Sequence, residues 1–259
     1  MRRFLATIGF AVLGFLRELG AMVQLLVVTF RSLPFVWTDR QMVLKQMLII
    51  GNNSLPLVLL IGGFTGAIAA LQATNLFAKF HLMGLARPYI GGSIATVVFT
   101  ELAPVLTALV IAGRVGGAMA AEIGTMAVSE QLDALEMMAI DKYRFLVLPR
   151  VFAALTMIPL LTVFSNVVAL LGAVTLIILK FQFPAPVFWS SVQRFFSEAE
   201  VILGLAKAAV FGLLTAVVAC RMGFTTVGGA EGVGRSTVRA FTIIASGILI
   251  FDALFGYVF

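Results

Sequence analysis

Five apolar runs, at about 47–76, 91–113, 146–179, 199–220 and 238–258, govern what this chain can become. A helix rises ~1.5 Å per residue, so about 20 apolar residues cross the ~30 Å hydrocarbon core of a bilayer, and every run meets that length. Backbone groups inside lipid have no water to bond, so each run must close its own hydrogen bonds as a helix. A soluble alternative fails on composition. Of the 259 residues, 61% are hydrophobic and only 12% charged, against about 25% charged in an ordinary soluble domain. The expected fold class is an all-α integral membrane protein with five transmembrane helices. The third run is long enough to tilt or to project beyond the bilayer. Pro56, Pro104 and Pro159 fall inside runs, where neighbouring helices can satisfy the freed carbonyls. Gly62, Gly63 and Gly66 give the first run a small-residue face suited to close helix packing.

Residues 1–46 read as a separate segment ahead of the five-span domain at 47–259. Met1-Arg2-Arg3 and the apolar FLATIGFAVLGFL mimic a signal peptide, but Arg17 and Glu18 follow at once and no clear small-residue cleavage site appears. Phe4, Ile8, Val12, Phe15, Leu19, Val23 and Leu26 recur at three- or four-residue spacing. That spacing predicts an amphipathic helix lying in the interface, with an extra transmembrane helix as the alternative. The polar piece from Arg31 to Gln46 reads as a cytoplasmic elbow.

Orientation follows from Lys and Arg, which concentrate on the cytoplasmic side of membrane proteins. With the N-terminus inside, only Lys79, Arg87, Lys180 and Arg194 fall in outside loops, Lys207 falls in a span, and the rest of the 18 Lys and Arg fall inside. The net charge of +6 is thus a topology signal, and no nucleic-acid partner is expected. The C-terminus falls on the outer side. Cys220 is the only cysteine and His81 the only histidine, so neither a disulfide nor a Cys/His metal site is expected.

The connection at 115–142 faces inward under this scheme. Ile123, Met126, Ala127, Leu132, Leu135, Met138 and Ala139 can form an apolar stripe beside Glu122, Glu130, Asp133 and Glu136. A span leading into an amphipathic acidic helix predicts a coupling helix that docks on a soluble nucleotide-binding subunit. A solvated re-entrant loop is the alternative. The stretch from Thr100 to Lys142 carries E-L-x-P, A-G-R-x-G, A-E-I-G-x-M, E-Q-L and A-L-E-M-M-A-I-D in order, and in this it resembles the MlaE family, the permease subunits of lipid-moving ABC transporters. The resemblance implies the coupling role at this position and an interfacial N-terminal segment. One departure is Ile140-Asp141-Lys142, where relatives often carry a proline after the aspartate.

Three ionisable residues lie within the runs. Glu101, Lys207 and Asp252 sit at similar depth in the outer half, and charges there cost at least ~2.5–3.5 kcal/mol each unless paired or hydrated. They are expected to form one cluster, either a structural staple or a part of transport. No nucleophile or metal ligand accompanies the carboxylates, so no catalytic residue is assigned. Leu76, Phe77, Phe80 and Leu82 mark the outer end of the first span, where aromatics usually anchor at the interface. The family resemblance implies that this region borders an outward-open lipid cavity, with Val98 and Leu102 facing Leu76, Phe77 and Phe80. Gly229-Ala230-Glu231-Gly232-Val233-Gly234-Arg235-Ser236 nearly spells a phosphate-binding loop. It lacks the required Lys and any preceding strand, and it resembles instead a cytoplasmic loop of MlaE permeases.

Together these readings lead to a non-catalytic permease in the inner membrane of a bacterium with two membranes, with no cofactor of its own. By resemblance it acts as a homodimer with two ABC ATPase subunits and a hexameric ring of periplasmic MCE-domain protein, and it moves phospholipid. The family also allows a STAS-domain protein on the ATPase. The rival expectations are an intramembrane lipid-modifying enzyme using Glu101 or Asp252, and a structural scaffold for the MCE ring.

Overall fold

A computed structural model describes residues 2–81 and 88–258, with side chains from Leu13 onward except Phe15. Leu82, Arg87 and Phe259, and the side chains of Phe4, Ile8, Val12 and Phe15, lie outside the described residues. The helices are α1 (Arg2–Arg31), α2 (Arg40–Lys79), α3 (Ile90–Val128), α4 (Gln131–Met137), α5 (Tyr143–Phe181), α6 (Ala185–Phe195), α7 (Glu198–Phe224) and α8 (Gly229–Val258). Of these, α2, α3, α5, α7 and α8 are long and apolar enough to cross a membrane, and α1 is not among them.

The first span lies inside a longer helix. The elbow shortens to a single tight turn at Leu33–Val36, and α2 runs on from Arg40 without a break at 47. Arg144 ties the turn down: its guanidinium donates to both oxygens of Asp39, at 2.9 and 3.3 Å, and stacks 4.1 Å over the Phe35 ring. At the next junction, Asp141 Oδ1 accepts from the Tyr143 N–H at 2.9 Å and so caps α5. Its carboxylate supplies the helix stop-and-start at the point where Lys142 replaces the expected proline.

Helices α2 and α5 form the closest pair, and the small-residue face is the reason. A Cβ on Gly66 would lie 1.7 Å from the Ala169 carbonyl oxygen, and one on Gly172 would lie 2.2 Å from that of Gly63. In lipid no hydrophobic force drives two apolar helices together, so backbone-to-backbone van der Waals contact of this kind holds the pair. Two core clusters follow. One gathers Ile111, Ile123, Ile158, Phe211 and Ile244 in the half of the bundle toward α4. The other gathers Ile94, Val98, Ala169, Ala173 and Phe188 toward the opposite end.

Helix α6 occupies what reads in the sequence as an outside loop. It follows Pro184, and its Phe188 and Ser191 press onto Gly91 and Gly92 of α3, with Ser191 Oγ accepting from the Gly92 N–H at 3.0 Å. Helix α1 lies against the bundle through buried Leu25 and through Glu18, which accepts from Arg221 at 3.0 and 3.3 Å. Its Leu19 and Val23 point outward, so an apolar face is left for lipid while Leu26 packs inward.

Candidate functional site

Helix α3 carries three charged residues, Glu101, Arg114 and Glu122, and the first two lie where its geometry changes. Two π turns interrupt it, Val98–Leu102 and Ala112–Gly116, and they hold Glu101 and Arg114 respectively. Such turns are rare and usually mark positions where a side chain must be re-aimed. The first one fits a notch in α7: a Cβ on Gly204 would lie 2.1 Å from the Phe99 carbonyl oxygen, so only glycine admits the bulge. One helical turn further along α7, Lys207 Nζ donates to Glu101 Oε1 at 2.7 Å and to Asp252 Oδ1 at 2.9 Å.

The three residues expected at one depth therefore meet, and they join α3, α7 and α8. Lys207 is wholly buried, while the Glu101 side chain stays 44% exposed and that of Asp252 22%. An ammonium with no water needs both carboxylates, which leaves the cluster with one net negative charge facing outward. The sequence reading did not anticipate the neighbouring bond from Thr96 Oγ1 to Glu200 Oε2 at 3.0 Å, which closes the same α3–α7 seam.

Beside this seam a groove of about 740 Å3 opens between α2 and α3. Leu76, Phe77 and Leu102 line it, as do Gln72, Asn75 and Val97. Val98 does not: it is fully buried in the core, and half-exposed Val97 takes the place expected of it. Phe80 is exposed at the end of α2 without lining the groove. The π turn beginning at Val98 is the physical reason, because one extra residue per turn rotates the following face by about 100°.

At the opposite end, α3 continues unbroken through Gly116 and Gly117 to Val128, so the first half of the 115–142 connection is an extension of the second span. The chain reverses at Ser129 and at Glu130, whose φ of +58° is left-handed, and α4 follows. The expected stripe splits. Ile123 and Leu132 are buried within this chain and cannot meet a partner, Met126 and Leu135 are half-buried, and Met138 is exposed. Met137, absent from that stripe, is the most exposed at 89%. Glu122 and Glu136 are engaged internally, with Arg150 and Lys142. Glu130 and Asp133 are left as exposed acids with no ion pair. The Glu136 carboxylate pushes the Lys142 pKa up from its ordinary value.

Residues 229–236 form the first two turns of α8, with Arg235 bonded to Glu231 at 2.9 Å. A helix there offers no phosphate-cradling loop. Among the described residues no group of three or more His, Cys, Asp or Glu could hold a metal ion.

Residues 43–258 match the family model described as Permease MlaE. The chain is 42% identical to the "Probable ABC transporter permease protein slr1045" of Synechocystis, over 84% of this chain and 80% of that protein. It is 39% identical to a "Probable ABC transporter permease protein" of Rickettsia bellii, over 81% of this chain and 78% of that one. It is 36% identical to the chloroplastic protein TRIGALACTOSYLDIACYLGLYCEROL 1 of Arabidopsis thaliana, over 81% of this chain and 59% of that protein.

Proposed function

Because this chain belongs to the MlaE permease family and is a multi-pass membrane protein, we propose that it moves phospholipid between the bacterial inner membrane and a periplasmic MCE-domain carrier. The work is supplied by an ABC ATPase on a partner chain. The observation that carries this reading is the pairing of a buried, wholly neutralised lysine with an apolar groove. Leu102 lines the groove, and Glu101, next in sequence, belongs to the ion cluster. Apolar walls with a few convergent polar groups are what an acyl chain and its headgroup require. The plant relative, whose name contains a diacylglycerol lipid, points the same way.

In this reading Glu101, Lys207 and Asp252 act on the lipid or on the conformational cycle, and Leu76, Phe77 and Leu102 guide the chains. Two copies of the permease form the transport unit, the MCE hexamer sits on the outer face, and a STAS-domain protein can join the ATPase. The ATPase docks on the turn and α4, where Glu130, Asp133, Met137 and Met138 are free to make contact. Met126, Leu135 and Glu136 stand at the rim, while Glu122 and Leu132 hold the segment in shape. The N-terminus and α4 are cytoplasmic, and the end of α8 is periplasmic.

The decisive experiment reconstitutes permease, ATPase and MCE protein in vesicles and follows fluorescent phospholipid transfer. ATP-dependent transfer that stops when Leu76 and Leu102 are both changed to Trp supports the reading. Transfer at full rate in that double variant refutes the groove as the path. Lipid chemically altered without net transfer would favour the lipid-modifying alternative.

A further inference from the structure

We propose that the cleft between α2 and α3 at the α4 end of the bundle holds the phosphate-ester headgroup of a bilayer phospholipid, with Arg114 as its anchor. The cleft encloses about 250 Å3, and Gln46, Ile49, Ile50, Arg114, Ala118 and Glu122 are among the residues that line it. It is distinct from the groove at the other end. Arg114 follows Glu101 by 13 residues on one helix, which places it ~20 Å further along.

Arg114 is the reason a ligand is required. It is exposed on the second π turn of α3, at the inner end of the second apolar run, and its partner is the neutral hydroxyl of Ser54, at 2.7 Å, not a carboxylate. A cation at the edge of the hydrocarbon that faces a cleft with apolar walls takes its counter-ion from whatever fills the cleft. Glu122, the one carboxylate lining it, is already neutralised by Arg150 at 2.7 Å. The cleft therefore carries one uncompensated positive charge. A guanidinium that spends one donor on Ser54 keeps a planar fork for two phosphate oxygens.

The remaining contacts favour a lipid over free phosphate. Ile49, Ile50 and Ala118 give the cleft apolar walls, which would gain nothing from a hydrated inorganic ion but would cover the first methylenes of a glycerolipid. With Glu101 in the outer half of a ~30 Å hydrocarbon core, Arg114 comes near the headgroups of the opposite leaflet. Gln46 and Glu122 also line the cleft, and both offer polar atoms to an amine or hydroxyl beyond the phosphate. The inference needs only that the spans sit in a bilayer, and it holds whether or not the protein transports lipid.

The test uses the full-length permease in phosphatidylcholine vesicles containing a trace of phosphatidylethanolamine with a photoreactive headgroup. After irradiation, labelled peptides are mapped. Labelling is expected within 46–50 and 114–122, at least fivefold lower in Arg114→Gln and less reduced in Arg114→Lys, which keeps the charge but loses the fork. Ala118→Phe, which fills the cleft and keeps the charge, should lower it as much, so a folding defect at Arg114 cannot imitate the result. Excess unlabelled phospholipid should compete. Unchanged labelling in both Arg114→Gln and Ala118→Phe overturns the site. Loss of labelling on adding inorganic phosphate alone overturns the lipid assignment. So does an unlabelled cleft in which Ala118→Cys instead forms a disulfide with a second copy.

Discussion

Replacing Lys207 with Met tests the ion cluster with little change in volume. Lys207 is wholly buried and bonds Glu101 and Asp252 at 2.7 and 2.9 Å. Two oxygens that share one nitrogen at these distances lie less than about 6 Å apart, and without the ammonium they repel by about 3 kcal/mol at an effective dielectric of 20. Breaking buried pairs by removing one partner costs ~3–5 kcal/mol, in line with that value. Partial exposure of both carboxylates moves the expected loss to the low end, about 3 kcal/mol. The order among single variants follows from exposure. Lys207→Met is the worst, Asp252→Asn intermediate, and Glu101→Gln mildest because that side chain is 44% exposed. The triple variant Glu101→Gln, Lys207→Met, Asp252→Asn leaves no uncompensated charge and should recover most of the loss. Thermal unfolding in detergent, followed by size-exclusion chromatography, reads all four. Lipid transfer then separates the roles: recovered stability without transfer means the charges act in transport, and recovery of both makes them a staple. Lys207→Met as stable as the unaltered protein, at neutral pH, would refute the electrostatic reasoning.

Other predictions rest on other parts of the bundle. Glu130→Lys with Asp133→Lys should weaken capture of the ATPase in pull-down several-fold while the permease stays folded, because exposed rim charges steer association; unchanged capture moves the docking face to Met137 and Met138. Gly66→Val must push α2 off α5, since its Cβ would lie 1.7 Å from the Ala169 carbonyl, and overpacking of this kind costs ~1–3 kcal/mol or more, read as a lowered melting temperature. The Lys142–Glu136 pair is a surface contact worth ~0–1 kcal/mol. Its lysine pKa is raised above the ordinary 10.5, so its contribution is complete below pH 10.5 and is lost only as pH rises through the higher folded value. Lys142→Gln should therefore have the same small effect on melting at pH 6 and pH 9, and a difference between the two would contradict the assignment.

Much of this protein was legible along the chain because a bilayer reads length and polarity directly. Apolar runs of 20 residues or more have one fate in lipid, so each of the five runs lies inside one long apolar helix, although α3 continues 15 residues past the second run and α8 begins nine residues ahead of the fifth. Charges at matched depth in different spans have few ways to avoid paying for burial except to meet, which is why Glu101, Lys207 and Asp252 could be grouped before any coordinates. The glycine face of α2 was equally plain. What a linear pattern does not hold is the rotation of each helix about its axis. Two π turns in α3 shift that rotation, so that Val97 faces the groove and Val98 the core, and no periodicity rule detects an inserted residue. The fate of the 115–142 segment was also decided in three dimensions. Packing of Ile123 on Gly223 prolongs α3, sends Leu132 inside, and gives Glu122 to Arg150 on another helix. Helix α6 is too short and too polar to announce itself as an 11-residue run, and it exists because Gly91 and Gly92 leave room for it. The sequence by itself determined the solvent, the number of spans and their charges. The tertiary structure decided which side of each helix meets a neighbour, because that depends on backbone contacts between segments some hundred residues apart.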